Sequence, residues 1–243
     1  MSTARHALRL VALIIAMSWS SGAPAGDAPL RIGRNDSPMS LMTDASVAVM
    51  QAAYDKLGVE VRFERYPLRR SITMANAGQL DGDVMRIQEA AEQYTHLLRI
   101  DVPINQLEIS AYAREPCPSL GNWSDLHGKR VAYERGVLAI ERRLEGVEAV
   151  PAQNQPDLFR MLGYGMADIA LGTGQDTDVV LRRSPEKGLC RIDVVLERVP
   201  LYHYLHERHA ELAQRLKAQL QAMQKRGEID AIIKRERAKH AND

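Results

Sequence analysis

Aromatic side chains and an excess of charge of one sign are the two features this sequence most clearly lacks. Aromatic residues make up 5% of the 243 residues, with two Phe and two Trp, which excludes a surface that stacks several bases or sugars. The 32 Lys and Arg against 31 Asp and Glu give a formal charge of +1, so no strong field attracts nucleic acid. We therefore predict no nucleic-acid partner. The 45% hydrophobic and 26% charged residues are typical of a globular protein.

The common catalytic motifs are missing as well. The sequence contains no G-x-S-x-G, H-E-x-x-H, P-loop or G-x-G-x-x-G pattern, which excludes the familiar hydrolase, metalloprotease and nucleotide sites. His203, His206 and His209 are spaced by three, but a predicted helix beginning near Glu207 separates them geometrically. We predict no metal site, no cofactor and no catalytic residues.

Only one long apolar run occurs, and it lies at the N-terminus. Arg5, His6 and Arg9 precede the apolar residues 10–17, and Ala23-Pro24-Ala25 follows, which is the layout of a secretory signal peptide. The run is roughly ten residues long, too short for the about 20 that span a bilayer. No Cys lies directly after this run to become a lipid-anchored N-terminus. We predict that residues 1–25 are a signal peptide, and that the exported protein is periplasmic, monomeric and without a membrane insertion.

Cysteine is almost absent too. Cys117 and Cys190 are the only two, and they lack the CxxC spacing typical of zinc or redox sites. In an oxidising compartment a disulfide between them can persist, and we predict that Cys117 and Cys190 form one. Two buried free thiols are the alternative.

Strand and helix patterns alternate through the rest of the chain, which indicates an α/β fold. In the first half we predict strands at 30–34, 59–66 and 82–85 with helices at 45–57 and 68–77. In the second half we predict strands at 129–134, 147–151 and 168–171 with helices at 137–144 and 155–162. Residues 98–113, which contain Pro103, are predicted as two strands or a bent crossover. Residues 194–205 are predicted as extended, followed by helices at 207–226 and 229–235.

The two halves share a local pattern. Gly78-Gln79-Leu80-Asp81 and Gly165-Met166-Ala167-Asp168 each lie between a predicted helix and a predicted strand. A Gly in the left-handed conformation ends a helix, and the Asp leads into the strand. This repeat favours two matching βαβαβ units, although capping chemistry alone also explains each one.

These segments together resemble a known family. Six segments carry the resemblance through their order along the chain. They are the opening strand 30–33, the helix and strand AAYDKLGVEVRFE, the segment ANAGQLDGD, and residues 125–131, 165–171 and 201–227. In this order the chain resembles the periplasmic solute-binding proteins of family 3, the polar amino-acid type. The resemblance implies a type II fold with a ligand cleft between two lobes and a two-strand hinge. Lobe one would be 26–112 plus 197–243, and lobe two 113–196.

The sequence departs from the family where the ligand is held. Residues 35–39 lack the aromatic ring that usually stacks on the ligand, and only Arg86 offers a cation after the third strand. The segment Leu171-Gly172-Thr173-Gly174 has no acid at the position usual for binding the ligand ammonium. The resemblance therefore implies the family's scaffold with an altered binding site for an α-amino acid.

Candidate ligand-binding residues lie at the predicted strand ends, where α/β sheets bind their ligands. Arg86 and Arg135 come from corresponding regions of the two halves, and closure would bring both onto one carboxylate. The alternative is that each pairs with a surface acid. The full predicted set is Asn35, Asp36, Ser37, Tyr66, Arg69, Arg86, Arg135, Gly136, Gly172 and Thr173.

The leading hypothesis is an exported, non-catalytic protein that captures a small anionic or zwitterionic metabolite for a membrane transporter or a sensor. One alternative is an accessory or chaperone-like subunit of a periplasmic oxidoreductase system, which a collapsed or apolar cleft would favour. Another is a dehydratase-like enzyme on the same scaffold. That enzyme needs a cleft acid or base with a shifted pKa, and no Glu or His stands out at the predicted strand ends.

Overall fold

The computed structural model of the protein describes residues 28–36 and 40–239. The predicted signal peptide and Ser37 lie outside the described residues. No helix in the described part of the chain has the length and apolar character needed to span a bilayer.

Strands and helices alternate along the described chain. The strands are β1 (Leu30–Asn35), β2 (Val61–Tyr66), β3 (Gly82–Arg86), β4 (Leu97–Arg99), β5 (Asn105–Arg114), β6 (Arg130–Glu134), β7 (Glu148–Ala152), β8 (Ile169–Gly172) and β9 (Leu189–His206). The helices are α1 (Leu41–Leu57), α2 (Leu68–Asn76), α3 (Ala90–Gln93), α4 (Leu138–Glu141), α5 (Gln155–Gly163), α6 (Gln175–Arg183), α7 (Ala210–Lys225) and α8 (Glu228–Lys239).

The strands form two lobes of the same design. In lobe one β2, β1 and β3 are parallel, and the C-terminal part of β9 pairs antiparallel with β3 and β4. In lobe two β7, β6 and β8 are parallel, and β5 pairs antiparallel with β8 and with β9. The 18-residue β9 therefore runs through both lobes beside β5. The predicted two-lobed α/β fold is confirmed.

The repeated turn has the same geometry in both lobes. Gly78 and Gly165 have φ values of 70° and 68°, in the left-handed region that favours glycine. The Asp81 carboxylate accepts a hydrogen bond from Arg31 N at 2.7 Å, and that of Asp168 accepts one from Arg130 N at 3.0 Å. Each Asp thus fastens its turn to the first strand of its own lobe.

Some predicted elements differ from the observed ones. The predicted helix 137–144 is only the single turn α4, since the chain leaves helical geometry after Arg142. Helix α6 is not predicted from the sequence, because Asp176, Thr177 and Asp178 in its first turn have low helix propensity. The extended segment 98–113 is two strands, β4 and β5, separated by residues 100–104 around Pro103. The predicted helix 207–226 begins with a 3₁₀ turn at Glu207–His209 before α7.

The C-terminal helices return to lobe one and cover α1. Leu216, Leu220 and Met223 of α7 are fully buried, as are Val49 and Met50 of α1. Because α7 and α8 both pack on α1, the last third of β9 and these helices complete the core that the first strands begin.

Cys117 and Cys190 form a disulfide, with their Cα atoms 5.9 Å apart. Cys190 pairs with Ala113 in the β5–β9 ladder, so the bond fastens the lobe-two end of that ladder. The predicted disulfide is confirmed, and the alternative of two free thiols is wrong.

Candidate ligand-binding cleft

A cleft lies between the lobes, where the strand ends and helix N-termini of both meet. It encloses about 580 Å³ of space between atoms, counting the part open to solvent. Lobe one, with the strands that cross to lobe two, contributes Asn35, Ser40, Met42, Leu68, Met85, Arg86, Ile87, Leu107 and Leu201. Lobe two contributes Glu134, Gly136, Val137, Leu138, Ala139, Gln155, Thr173 and Asp176. Most of the wall is therefore aliphatic, with three charged side chains set into it.

Arg86 is the cation of this wall. It ends β3 and is 8% exposed. Its Nη2 donates to the Asp83 carboxylate and to the Leu68 carbonyl, both at 2.8 Å, and Ser71 Oγ donates to the same Asp83 oxygen at 2.6 Å. The buried Nε of Arg86 has no hydrogen-bond partner among the described residues. The guanidinium is thus fixed through Nη2, while its buried Nε lacks a partner among the described residues.

Glu134 is the first of two acids on the opposite wall. It ends β6 and is partly buried. Burial raises its pKa to about 7, and the negative charges of Asp176 and Asp36 add to this, while a hydrogen bond from Gln155 acts against it. Within the described chain no cation forms an ion pair with Glu134.

Asp176, in the first turn of α6, connects the lobes. Its carboxylate accepts hydrogen bonds from Ser40 Oγ at 2.6 Å and from Met42 N at 3.2 Å. Ser40 is the N-cap of α1, so an acid of lobe two satisfies the free N–H group at the end of a lobe-one helix. Burial raises the pKa of Asp176 to about 6, and these hydrogen bonds limit the shift.

The rim of the cleft is closed by further contacts between the lobes. Arg69 of α2 lies 3.5 Å from Glu141 of α4, and Arg142 pairs with Glu89 and with Glu197. At Gly136, φ is 92° and an added Cβ would lie 3.4 Å from Leu68 Cβ, so the backbone of lobe two approaches lobe one closely here. The lobes are therefore in contact around the cleft.

Known structures share this architecture. An ancestral arginine-binding protein bound to glutamine superposes with a TM-score of 0.70, 19% identity, 85% of this chain and 96% of that one covered. The chain has the fold of the periplasmic binding proteins. The GluR0 ligand-binding core in complex with L-glutamate matches at TM-score 0.72 and 16% identity, covering 86% and 98%. A histidine kinase sensor domain with similarity to periplasmic binding proteins matches at 0.69 and 20%, covering 84% and 93%.

Sequence comparison adds less to the fold. No family model matches the chain. An uncharacterized protein of Shewanella oneidensis is 28% identical over 188 residues, 72% of this chain and 69% of that protein. The periplasmic binding protein fold therefore rests on the structural likeness and on the strand order described above.

Four of the predicted ligand-binding residues line the cleft of this periplasmic binding protein fold: Asn35, Arg86, Gly136 and Thr173. Arg135 is exposed and does not line it, so the two-arginine clamp is not formed. Arg135 lies in the turn after β6, which ends at Glu134, and its side chain is exposed in that turn.

The remaining predicted residues lie elsewhere. Tyr66 donates its hydroxyl hydrogen to Glu64 at 2.7 Å, and Arg69 belongs to the rim pair with Glu141. Asp36 is exposed. A Cβ on Gly172 would lie 2.4 Å from the Thr177 side chain, so this glycine lets α6 pack against β8. These positions support the cleft from outside its lining.

Glu134 and Asp176 are the two charged residues of the cleft that the predicted set does not contain. Glu134 ends a predicted strand, so its position at a strand end could have identified it as a cleft residue. Asp176 lies on α6, a helix that the sequence does not predict. His203 is not beside them. It is buried in β9 with Nε2 2.8 Å from Tyr54 Oη and Nδ1 3.2 Å from the Val84 carbonyl, and burial lowers its pKa to about 4. The described residues contain no group of three or more metal-binding side chains.

Proposed function

We propose that this protein is an exported solute-binding protein that holds a small zwitterionic metabolite with an apolar body between its lobes. The observation that carries the proposal is the mainly aliphatic cleft with Arg86 on one wall and two carboxyl groups on the other. A few charged groups in an apolar pocket are typical of small-molecule sites. The two carboxyl groups favour a zwitterion over a ligand that is only anionic.

The cleft predicts a binding role for each part of its wall. The Arg86 guanidinium donates to a ligand carboxylate, and the aliphatic side chains cover the ligand body. Ligand contacts to both walls stabilise the closed state over an open one, with β5 and β9 as the connection that bends. The lobe boundaries for this motion are those predicted from sequence, 26–112 with 197–243, and 113–196.

The ligand-loaded protein would be bound by a membrane transporter or a sensor. Both uses occur among the similar structures, which include an amino acid ABC transporter substrate-binding protein and the histidine kinase sensor domain. No contact among the described residues favours the transporter over the sensor.

The two alternatives fit the cleft less well. An accessory subunit needs no charged groups between its lobes, whereas this cleft has three. For an enzyme, Glu134 supplies the acid with a shifted pKa that the sequence did not indicate. However, no His is among the described residues that line the cleft to act with it. The similar structures are of binding proteins, a sensor domain and a ligand-binding core.

A thermal-shift screen of the exported protein against amino acids, dicarboxylates, aromatic acids and sugars tests the proposal, because a ligand of the folded state raises the melting temperature. We expect a selective response that falls at least tenfold in affinity in Arg86→Lys, which keeps the charge beside Asp83 but loses the planar donor set. Arg135→Ala is the matched control and should bind normally. The absence of any response, or one that ignores Arg86→Lys and Arg86→Ala, would overturn the proposal.

A further inference from the structure

We infer that the outer edge of β2 is a docking surface for an acidic, extended segment of a partner protein, which pairs with the edge as an added strand. This surface, called the arginine edge below, consists of the backbone of β2 with Arg62, Arg65 and Arg70 beside it. The inference goes beyond solute binding, because it names the chemistry of a partner and does not depend on what the cleft holds.

The backbone of β2 has a free side. This strand lies at the end of the sheet, and among the described strands it pairs only with β1. The Glu60 carbonyl accepts a hydrogen bond from Leu30 N at 3.0 Å, on the β1 side. Because the backbone groups of successive strand residues point to opposite sides, those of Val61, Phe63 and Arg65 point away from β1. Their N–H and C=O groups are available to another strand.

Positive charge is concentrated along this free side. Arg62, Arg65 and Arg70 are exposed, and none of them forms an ion pair with another described residue. Glu64, the acid of β2, is already bound by Arg31, whose Nε and Nη2 donate to its two oxygens at 2.7 and 2.9 Å. The whole chain has a formal charge of only +1, so this excess is local. Such a patch favours a partner that carries carboxylates.

The arginines lie on both faces of the edge. Side chains alternate along a strand, so Arg62 and Arg65 point to opposite faces of the sheet. Tyr66 shares the face of Arg62, and the Cζ of Arg70 lies over the Tyr66 ring, 5.8 Å from its centre. The side chains of an added strand alternate in the same way. Its acidic residues therefore meet an arginine on either face.

An open groove runs beside the first half of the edge. It is lined by Gln51 and Asp55 of α1 and by residues 58–62, and it encloses about 800 Å³, counting the space open to solvent. Asp55 and Glu60 give this half some negative charge, whereas Arg65 belongs to the other half. The acidic residues of the segment therefore belong beside the C-terminal half of β2.

A second copy of this chain does not fit the arginine edge. Two copies paired through β2 would bring Arg62 and Arg65 of one copy close to those of the other, and like charges on paired strands are destabilising. Charged side chains on an edge strand discourage such self-pairing. The same charges attract an acidic strand, so the edge discriminates between the two.

The test uses a short synthetic peptide of Glu and Thr as the probe, with Glu at both odd and even positions. The fluorescein-labelled peptide is titrated with the protein by fluorescence polarisation. We expect binding that weakens at least tenfold in the double variant Arg62→Ser, Arg65→Ser, whose melting temperature shows that it is folded. The matched control, Arg182→Ser with Lys187→Ser, removes two exposed cations of lobe two and should bind as the parent does.

N-methylation of the peptide distinguishes strand pairing from plain attraction between charges. Methylation at alternate residues leaves one side of the peptide able to pair, and should change the affinity by less than about threefold. Methylation at every residue blocks both sides and should lower the affinity at least tenfold, although the charge is the same.

Hydrogen exchange followed by NMR gives a readout at the edge itself. The amide protons of Val61, Phe63 and Arg65 should exchange more slowly in the complex. Those of Arg62 and Glu64 point to β1 and should not change.

The opposite results are equally clear. The inference would be overturned if the peptide does not bind, or if its binding ignores the double variant or full N-methylation. A dimer of the parent protein with slowed exchange at 61, 63 and 65, or tighter binding to phosphatidylglycerol vesicles than to the peptide, would also overturn it. Solute binding is unaffected by these outcomes, because the thermal-shift screen tests it separately.

Discussion

Glu134 and Asp176 hold their protons at pH values where exposed carboxyl groups have lost them. Burial raises their pKa values to about 7 and about 6, from ordinary values of 4.5 and 3.8. His203 responds in the opposite direction, since burial lowers its pKa to about 4. The stability of the whole protein depends on pH through all three groups. A variant of Glu134 alone is therefore needed to isolate its contribution.

We predict that Glu134→Gln becomes more stable relative to the parent protein as pH rises. The folded-state pKa of Glu134 is raised above its unfolded value of 4.5, so the stability it contributes is present below pH 4.5 and is lost as pH rises through about 7. Glutamine has no such loss. The difference in free energy of unfolding should grow by about 2 to 3 kcal/mol between pH 4.5 and 8, measured by urea denaturation. Glu145→Gln should show no trend, and a constant difference in Glu134→Gln would contradict the assigned burial.

At the scale of secondary-structure elements, both lobes contain the same glycine turn, after α2 in lobe one and after α5 in lobe two. Beyond its glycine, each turn places an Asp whose carboxylate accepts from the N–H of Arg31 or of Arg130. Helix end and strand start are therefore fixed together in each lobe.

We predict that Gly165→Ala lowers the free energy of unfolding by about 1 to 2 kcal/mol, the cost of a left-handed conformation for a residue with a Cβ. The φ of Gly165 is 68°, and an added Cβ would also lie 3.3 Å from Arg114 Nη1. Gly121→Ala, where φ is not in that region and only Asp125 lies near, at 3.5 Å, should change stability by less than about 0.5 kcal/mol. Equal effects in the two variants would refute the role given to the turn.

Most elements follow from the sequence because their signals are local. The apolar residues of α1 recur with helical spacing and so indicate the helix. The glycines at 58, 78 and 165 mark where helices end. Helix α6 could not be predicted in this way, since it is nine residues long and its first turn depends on partners in lobe one. Arg86 and Asn35 were found because they follow strands, but Glu134 was overlooked and Arg135 preferred, since the sequence does not show which of two neighbours faces inward.

For the molecule as a whole, the disulfide closes a long covalent loop in the described chain. Cys117 and Cys190 are 73 residues apart, and nearly all of lobe two lies between them. In the chain-entropy model such a loop raises stability by about 4 kcal/mol.

We predict that Cys117→Ser with Cys190→Ser lowers the free energy of unfolding by about 2 to 4 kcal/mol while the ligand affinity stays within about threefold, because neither residue lines the cleft. Guanidinium denaturation with and without reductant gives the first quantity, and calorimetry the second. The parent under reducing conditions is the matched control. A parent protein whose stability ignores reductant would show that the bond does not constrain the unfolded chain.

The hydrogen bonds from Ser40 and Met42 to Asp176 have a kinetic consequence. They link the lobes through residues of this chain alone, so the closed arrangement has internal support before any solute arrives. Under the proposed solute-binding function, a ligand enters once these bonds break, and we predict that its association rate levels off at high ligand concentration at the rate of opening. Stopped-flow measurement of that rate against ligand concentration tests this, and a rate that stays linear would contradict it.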